Sequence, residues 1–166
     1  MKKILLGVIL CLYWALPGLS QEADRSQTSV EIGNGKVTIE YGIPKLGDRK
    51  IEDLIKPGLA WRMGRNQSTT LETTIALDFS GKVLKPGKYA LFARSNQNGE
   101  WALLVSTALK MTLEPDSIVL EAPLRLVKDD NSQDLLKIGL RSESGGVNIL
   151  VAWGTYRLQG TFKPAA

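Results

Sequence analysis

The stretch Gly58–Thr70, GLAWRMGRNQSTT, packs a tryptophan, two arginines, an asparagine and a run of hydroxyls into thirteen residues. Arg62 carries five donors in a rigid fork, Asn66 a donor and an acceptor, Thr69 a hydroxyl, and Trp61 a planar ring. Such a set suits a carboxylate, a phosphate or a sugar. In a strand, Trp61, Met63 and Arg65 would share one face and Arg62 and Gly64 the other, so neither face is cleanly apolar. Gly64 then marks a bulge or a close approach of backbone. Two readings stay open. Trp61 caps one end of a core while Arg62 pairs with an acid, or Arg62, Asn66 and Thr69 converge beside Trp61 on a partly open cleft that Tyr41 and Arg49 also reach. Two arginines at one mouth repel unless something negative lies between them, so the second reading calls for an anionic ligand and no more than one protein acid nearby.

Other chemistry is narrowed by what is missing. The chain has no histidine and one cysteine, Cys11. A Ser-His-Asp or Cys-His arrangement cannot be assembled, and zinc sites lose their main nitrogen donor. Carboxylate pairs, lysine and tyrosine remain. Glu40, Glu72 and Asp78 sit at outward positions of strand-like runs; glycan hydrolysis would need two of them about 5 to 9 Å apart, against the plainer reading of a solvated sheet face. Asp129, Asp130, Asn131 and Asp134 lack the spacing and terminal glutamate of a calcium loop and are expected in a polar hairpin loop. Trp101 and Trp153 are expected in the core. No catalytic residue, metal or cofactor is assigned.

The first residues, MKKILLGVILCLYWALPGLSQ, follow the plan of a secretory signal peptide: two lysines, an apolar run from Ile4 to Leu16, a Pro17-Gly18 break and small Ser20, with cleavage expected before Gln21. The run is short of the roughly 20 residues of a membrane span. Leu10 ahead of Cys11 does not suit a lipoprotein signal. Removing 20 of the 166 residues leaves 146, one domain, and takes Lys2, Lys3 and Cys11 with it. The remaining charge is +2, from 21 basic residues less those two lysines against 17 acidic ones. That gives no support for nucleic-acid binding. The mature protein is expected outside the cytoplasm, periplasmic or secreted, without a membrane span.

The elements that must position the candidate residues read as strands. Val37, Ile39, Tyr41 and Ile43 alternate with polar neighbours, and Leu71 to Phe79 repeats the pattern. Further runs cover Lys88–Arg94, Trp101–Thr107, Ser117–Val127, Leu135–Arg141, Val147–Trp153 and Tyr156–Lys163, punctuated by Gly, Pro, Asn and Asp. Asn34-Gly35 is expected as a two-residue hairpin turn, with similar turns in NQNGEW, ESGGVN and KPGKY. Connections this short require antiparallel pairing. The expected fold is all-β, an antiparallel β-sandwich of jelly-roll type with one short helix over Asp48–Pro57, Asp48 being its N-cap. ALKMTLEPDS is expected as a loop with a turn of helix.

These residues resemble a secreted bacterial family known only as a domain of unknown function, DUF2911. Its stretches read Tyr-Ser-x-Pro, Gly-Arg-x-Ile and Trp-Arg-x-Gly-x-Asn-x-x-Thr, matched here by Tyr41 and Pro44, by Arg49 and Ile51, and by Trp61, Arg62, Gly64, Asn66 and Thr69. LKPGKYALFA, EWALLVS and LVAWGTYRLQGTF are similar to its later strands. Asp48 stands where the family has glycine, and STALKMTLEPDSIVL lacks its Trp-Gly-x-Tyr stretch. The resemblance implies a secreted β-rich domain and no particular reaction. The leading expectation is a non-catalytic module binding a small molecule or envelope polymer, anionic where the arginines meet it, through Tyr41, Arg49, Trp61, Arg62, Asn66 and Thr69. The alternatives are a carboxylate-dependent glycan hydrolase and a structural envelope protein with Arg62 buried against an acid such as Glu72.

Overall fold

The structure, a computed structural model, describes residues 25–166; the expected signal peptide and its cleavage point lie outside the described residues. Nine strands form among them: β1 Arg25–Ile32, β2 Gly35–Gly42, β3 Thr70–Thr73, β4 Leu77–Phe79, β5 Lys82–Leu84, β6 Gly87–Ser95, β7 Trp101–Ser106, β8 Ile118–Glu143 and β9 Gly146–Pro164. One helical turn, α1 Ile51–Leu54, and a 3-10 turn at Pro115–Ser117 complete the fold. Every ladder is antiparallel, and the order β1-β2-β3-β6-β7-β8-β9-β4-β5 makes one open sheet. The sequence pattern led to two stacked sheets; the ladders join all nine strands in one. Leu71–Phe79, read as a single strand, is two: Thr73 ends a strand inside the sheet, and Leu77 begins another beside the end of β9.

Alternation explains the core. Val37, Ile39 and Tyr41 of β2 are buried together with Leu71, Leu91, Leu103, Val105 and the inward residues of β8 and β9. Strand β6 is apolar without a break from Tyr89 to Ala93 and is buried there on both faces. Tyr89, Leu91 and Ala93 join the main core, while Ala90 and Phe92 form a second cluster with Leu104, beneath Leu113. Burying a side chain of leucine size contributes about 1.5–3 kcal/mol, so both clusters matter to stability.

The two longest strands bend. A Cβ on Gly146 would stand 2.5 Å from the Phe162 carbonyl oxygen, whereas a straight strand would hold those residues roughly 50 Å apart at about 3.3 Å per residue. Irregular pairing supplies the bend: Lys128 faces Tyr156, Gln133 faces Gly154 and Lys137 faces Ala152, leaving unmatched residues on β8. The expected hairpin loop at Asp129–Asp134 is thus a bulged part of β8. Arg157 fastens it, donating to the carbonyls of Gly154 (2.9 Å), Tyr156 (2.9 Å) and Asn131 (2.5 Å) and pairing with Asp129 at 3.2 Å.

Two local expectations are corrected. The first hairpin turns at Gly33-Asn34, with Ile32 opposite Gly35, one residue earlier than expected. Gly33 takes φ 61°, and Gly35 is needed in the strand because a Cβ there would lie 2.4 Å from Ile75. The helix expected over Asp48–Pro57 is the single turn α1, with Lys50 and not Asp48 at its N-cap and no side-chain cap bond. The preceding chain is committed elsewhere: Lys45 bridges to Leu135, Leu46 N–H donates to the Asp134 carbonyl at 2.8 Å, and Gly47 N–H to its carboxylate at 2.9 Å. Ile51 of α1 packs on Gly154, where a Cβ would meet it at 2.9 Å.

Candidate functional site

Between α1 and β3 the chain forms an irregular loop, held at several points. Trp61 lies beside β6, its N–H donating to the Ala93 carbonyl at 2.7 Å and its own carbonyl accepting from Ala93 N–H at 2.8 Å. Its ring stacks on Trp153 at 5.8 Å and 10°, and the Trp153 indole N–H donates to the Asp134 carbonyl at 3.2 Å. Met63 follows, buried and at φ 48°, and Asn66 at φ 64°. Asparagine tolerates the left-handed region better than most residues, which accounts for its position here. The Thr69 hydroxyl, fully buried, donates to the Met63 carbonyl at 2.7 Å. Gly64 fits underneath: a Cβ would stand 2.6 Å from the Thr69 hydroxyl oxygen and 3.3 Å from the Gly42 carbonyl oxygen. The close backbone approach expected at Gly64 is present. Trp61, Gly64, Asn66 and Thr69 therefore each have a part in shaping this loop.

The structure distributes the six candidate ligand residues. Tyr41 is buried in the core. Arg49 is exposed and turns back on its own loop, donating to the carbonyls of Leu46 (2.9 Å) and Lys45. Thr69 is enclosed. Trp61 and Arg62 line one cleft of about 260 Å³ with Leu54, Lys56, Leu59 and Met111. Asn66 lines a neighbouring cleft of about 390 Å³ with Arg25, Glu40, Lys88, Leu109 and Met111. Met111 borders both and separates them.

Arg62 is half-buried, and among the described residues its side chain makes one long hydrogen bond, from Nη1 to the Met111 sulfur, 3.5 Å. A thioether is a weak acceptor. Among the described residues neither Arg62 nor Arg49 is paired with a carboxylate. Glu72, offered as a partner for Arg62, faces Lys88 at 3.9 Å instead. Sequence reasoning missed Met111, 48% exposed, and Leu59, 65% exposed. Leu59 falls inside the singled-out stretch but is chemically plain, and Met111 comes from a segment without periodicity.

The acids considered for hydrolysis are occupied. Glu40 pairs with Arg25 at 2.9 Å; Asp78 accepts from Gly81 N–H at 2.6 Å and faces Lys163 at 3.7 Å. Glu40 and Asp78 line different clefts. Elsewhere, the Asn131 backbone N–H holds the Asp129 carboxyl below its ordinary value of 3.8, with Arg157 helping against some desolvation. Burial pushes the Tyr156 phenol above its ordinary 10.0, and the Glu52 carboxylate adds to the effect. Among the described residues no group of three or more His, Cys, Asp or Glu side chains is gathered as a metal site.

A mostly-β antiparallel domain, with one short helix and a tight Trp-Arg-x-Gly-x-Asn-x-x-Thr loop, is the class that these observations define. The chain belongs to the DUF2911 family of proteins of unknown function, whose profile matches residues 23–162. Neither a curated protein nor a solved structure matches it.

Proposed function

We propose that this protein is an extracytoplasmic, non-catalytic binding module, a sandwich-like domain in which the folded-over sheet carries paired clefts around Met111. Its ligand is a small molecule or polymer end with a phosphate or carboxylate beside an apolar portion. The observation that carries this reading is Arg62, a half-buried residue whose guanidinium is paired with no acid among the described residues and meets the Met111 thioether at 3.5 Å. A guanidinium with so weak an acceptor keeps its donors available to an anion, which supplies charge-assisted hydrogen bonds. Leu54, Leu59 and Met111, exposed around it, provide the apolar wall. Met111 is flexible, and its displacement would join the Arg62 cleft to the one lined by Asn66, Lys88 and Arg25.

Octyl phosphate is a suitable probe, followed by tryptophan fluorescence, since Trp61 lines the cleft. A saturable change is expected, with inorganic phosphate binding more weakly for want of the apolar part. Arg62→Gln should weaken octyl phosphate about tenfold or more, the worth of a charge-assisted hydrogen bond. Equal affinity of the folded variant would sink the assignment of Arg62.

A further inference from the structure

Another cleft opens where β8 and β9 part. Strand β8 pairs with β7 as far as Leu124 and with β9 from Arg125 onward. Strand β9 leaves β8 after Gln159 and meets β4 at Lys163. Between these points no ladder joins the two, and a slot of about 380 Å³ opens. Gly160 allows the strands to stay close while they diverge, since a Cβ there would lie 2.7 Å from Leu124 Cδ2. The floor is apolar and buried, formed by Phe79, Leu103, Leu124 and Ile149.

The rim is polar and unused. Arg125, Asn148, Gln159 and Thr161 line the slot, and among the described residues their side chains make no hydrogen bond or ion pair. Asn148 and Gln159 are half-buried. Each amide offers both donors and an acceptor, and Arg125 offers a fork of donors with no acid to satisfy it. Sites with an apolar floor and a few convergent polar groups are the common form of a small-molecule pocket, and 380 Å³ falls in their size range.

The geometry points to a ligand with a branched apolar group next to a carboxylate: the carboxylate on Arg125, neighbouring polar atoms on Asn148 and Gln159, and a leucine-sized side chain on the floor. A free apolar amino acid and the C-terminal residue of a peptide share this chemistry. Two further clefts continue the slot, one at Ser144–Gly146 of about 500 Å³ and one at Lys82–Trp101 of about 580 Å³. They leave room for residues preceding a peptide's last one.

N-acetyl-L-leucine titrated into the protein without its leader tests this, read by the side-chain amide resonances of Asn148 and Gln159. Saturable shifts are expected at probe concentrations up to about 10 mM, appropriate to a millimolar Kd. Arg125→Gln, an exposed substitution that leaves the core intact, should weaken binding about tenfold or more. N-acetyl-L-leucinamide, lacking the carboxylate, should weaken similarly. N-acetylglycine, lacking the apolar group, should lose about tenfold or more. Arg62→Gln should leave these affinities unchanged, so this site stands or falls apart from the Met111 clefts. A tighter Ala-Ala-Leu than L-leucine identifies a peptide end as the source; a tighter L-leucine, which alone carries the α-ammonium beside the carboxylate, identifies the free amino acid. Absence of saturable amide shifts, or shifts indifferent to Arg125→Gln or to the apolar group, would overturn the assignment.

Discussion

Replacing Gly64 by alanine tests whether the Trp-Arg-x-Gly-x-Asn-x-x-Thr loop is built as described. The new Cβ would sit 2.6 Å from the Thr69 hydroxyl oxygen, and ordinary contact begins at 3.4 Å, so something must move by nearly an ångström. Thr69 is fully buried and its hydroxyl is held by the Met63 carbonyl at 2.7 Å. Relief would break that bond or push the Gly42 strand outward. A lost buried hydrogen bond costs about 1–3 kcal/mol and overpacking another 1–3, giving about 3 kcal/mol for Gly64→Ala. At about 4 °C per kcal/mol for a domain of this length, Tm should fall by about 12 °C. Thr69→Ala removes the hydroxyl and a methyl and should cost about 2–3 kcal/mol by itself. In the double variant the clash is gone and the alanine methyl refills part of the space. Its cost should be about 3 kcal/mol, well below the sum of the single costs, with a coupling of about 2 kcal/mol. Urea unfolding of the four proteins measures this directly. Additivity within about 0.5 kcal/mol would refute the packing of Gly64 against Thr69.

Two further outcomes are expected. Tyr156 has its phenol pKa raised in the folded state, so the unfolded chain loses that proton first. The stability associated with the neutral phenol is fully present below the unfolded value of about 10 and lost as pH rises from there through the higher folded one, and Tyr156→Phe should flatten the fall in Tm above pH about 9. An unchanged slope in Tyr156→Phe would contradict burial as the cause. N-terminal sequencing of the protein from the extracytoplasmic fraction is expected to give a chain beginning at Gln21; a chain beginning at Met1 in the membrane fraction would refute the signal-peptide reading.

Much of the sheet was legible because alternation survives wherever one face is buried, as along Val37, Ile39 and Tyr41. What failed was decided by contacts distant in sequence. The run Gly33-Asn34-Gly35 permits two turn registers, and Ile75, some forty residues away, selects one by requiring glycine at position 35. The polar stretch at Asp129–Asp134 resembles a loop by composition, yet Arg157 on the neighbouring strand holds its Asn131 carbonyl and its Asp129 carboxylate. At the candidate site, Gly64 was readable as a close approach and Trp61 with Arg62 as neighbours. Tyr41 lies in the core as the Val37-Ile39-Tyr41 alternation requires, and Arg49 turns back onto Leu46 and Lys45, only three and four residues earlier. The arrival of Met111 beside Arg62 depends on tertiary packing, which no local pattern encodes.

In this account the loop around Gly64 and Thr69 is scaffold, and Arg62 is the group it presents. Arg62→Gln separates the two roles in one preparation, by urea unfolding and by octyl phosphate titration. Because the Arg62 side chain makes only a thioether hydrogen bond among the described residues, the variant's unfolding free energy should stay within about 0.5 kcal/mol of the parent while affinity falls about tenfold or more. A loss of about 2 kcal/mol or more in stability, with octyl phosphate affinity unchanged, would show that Arg62 is scaffold as well and would contradict the account.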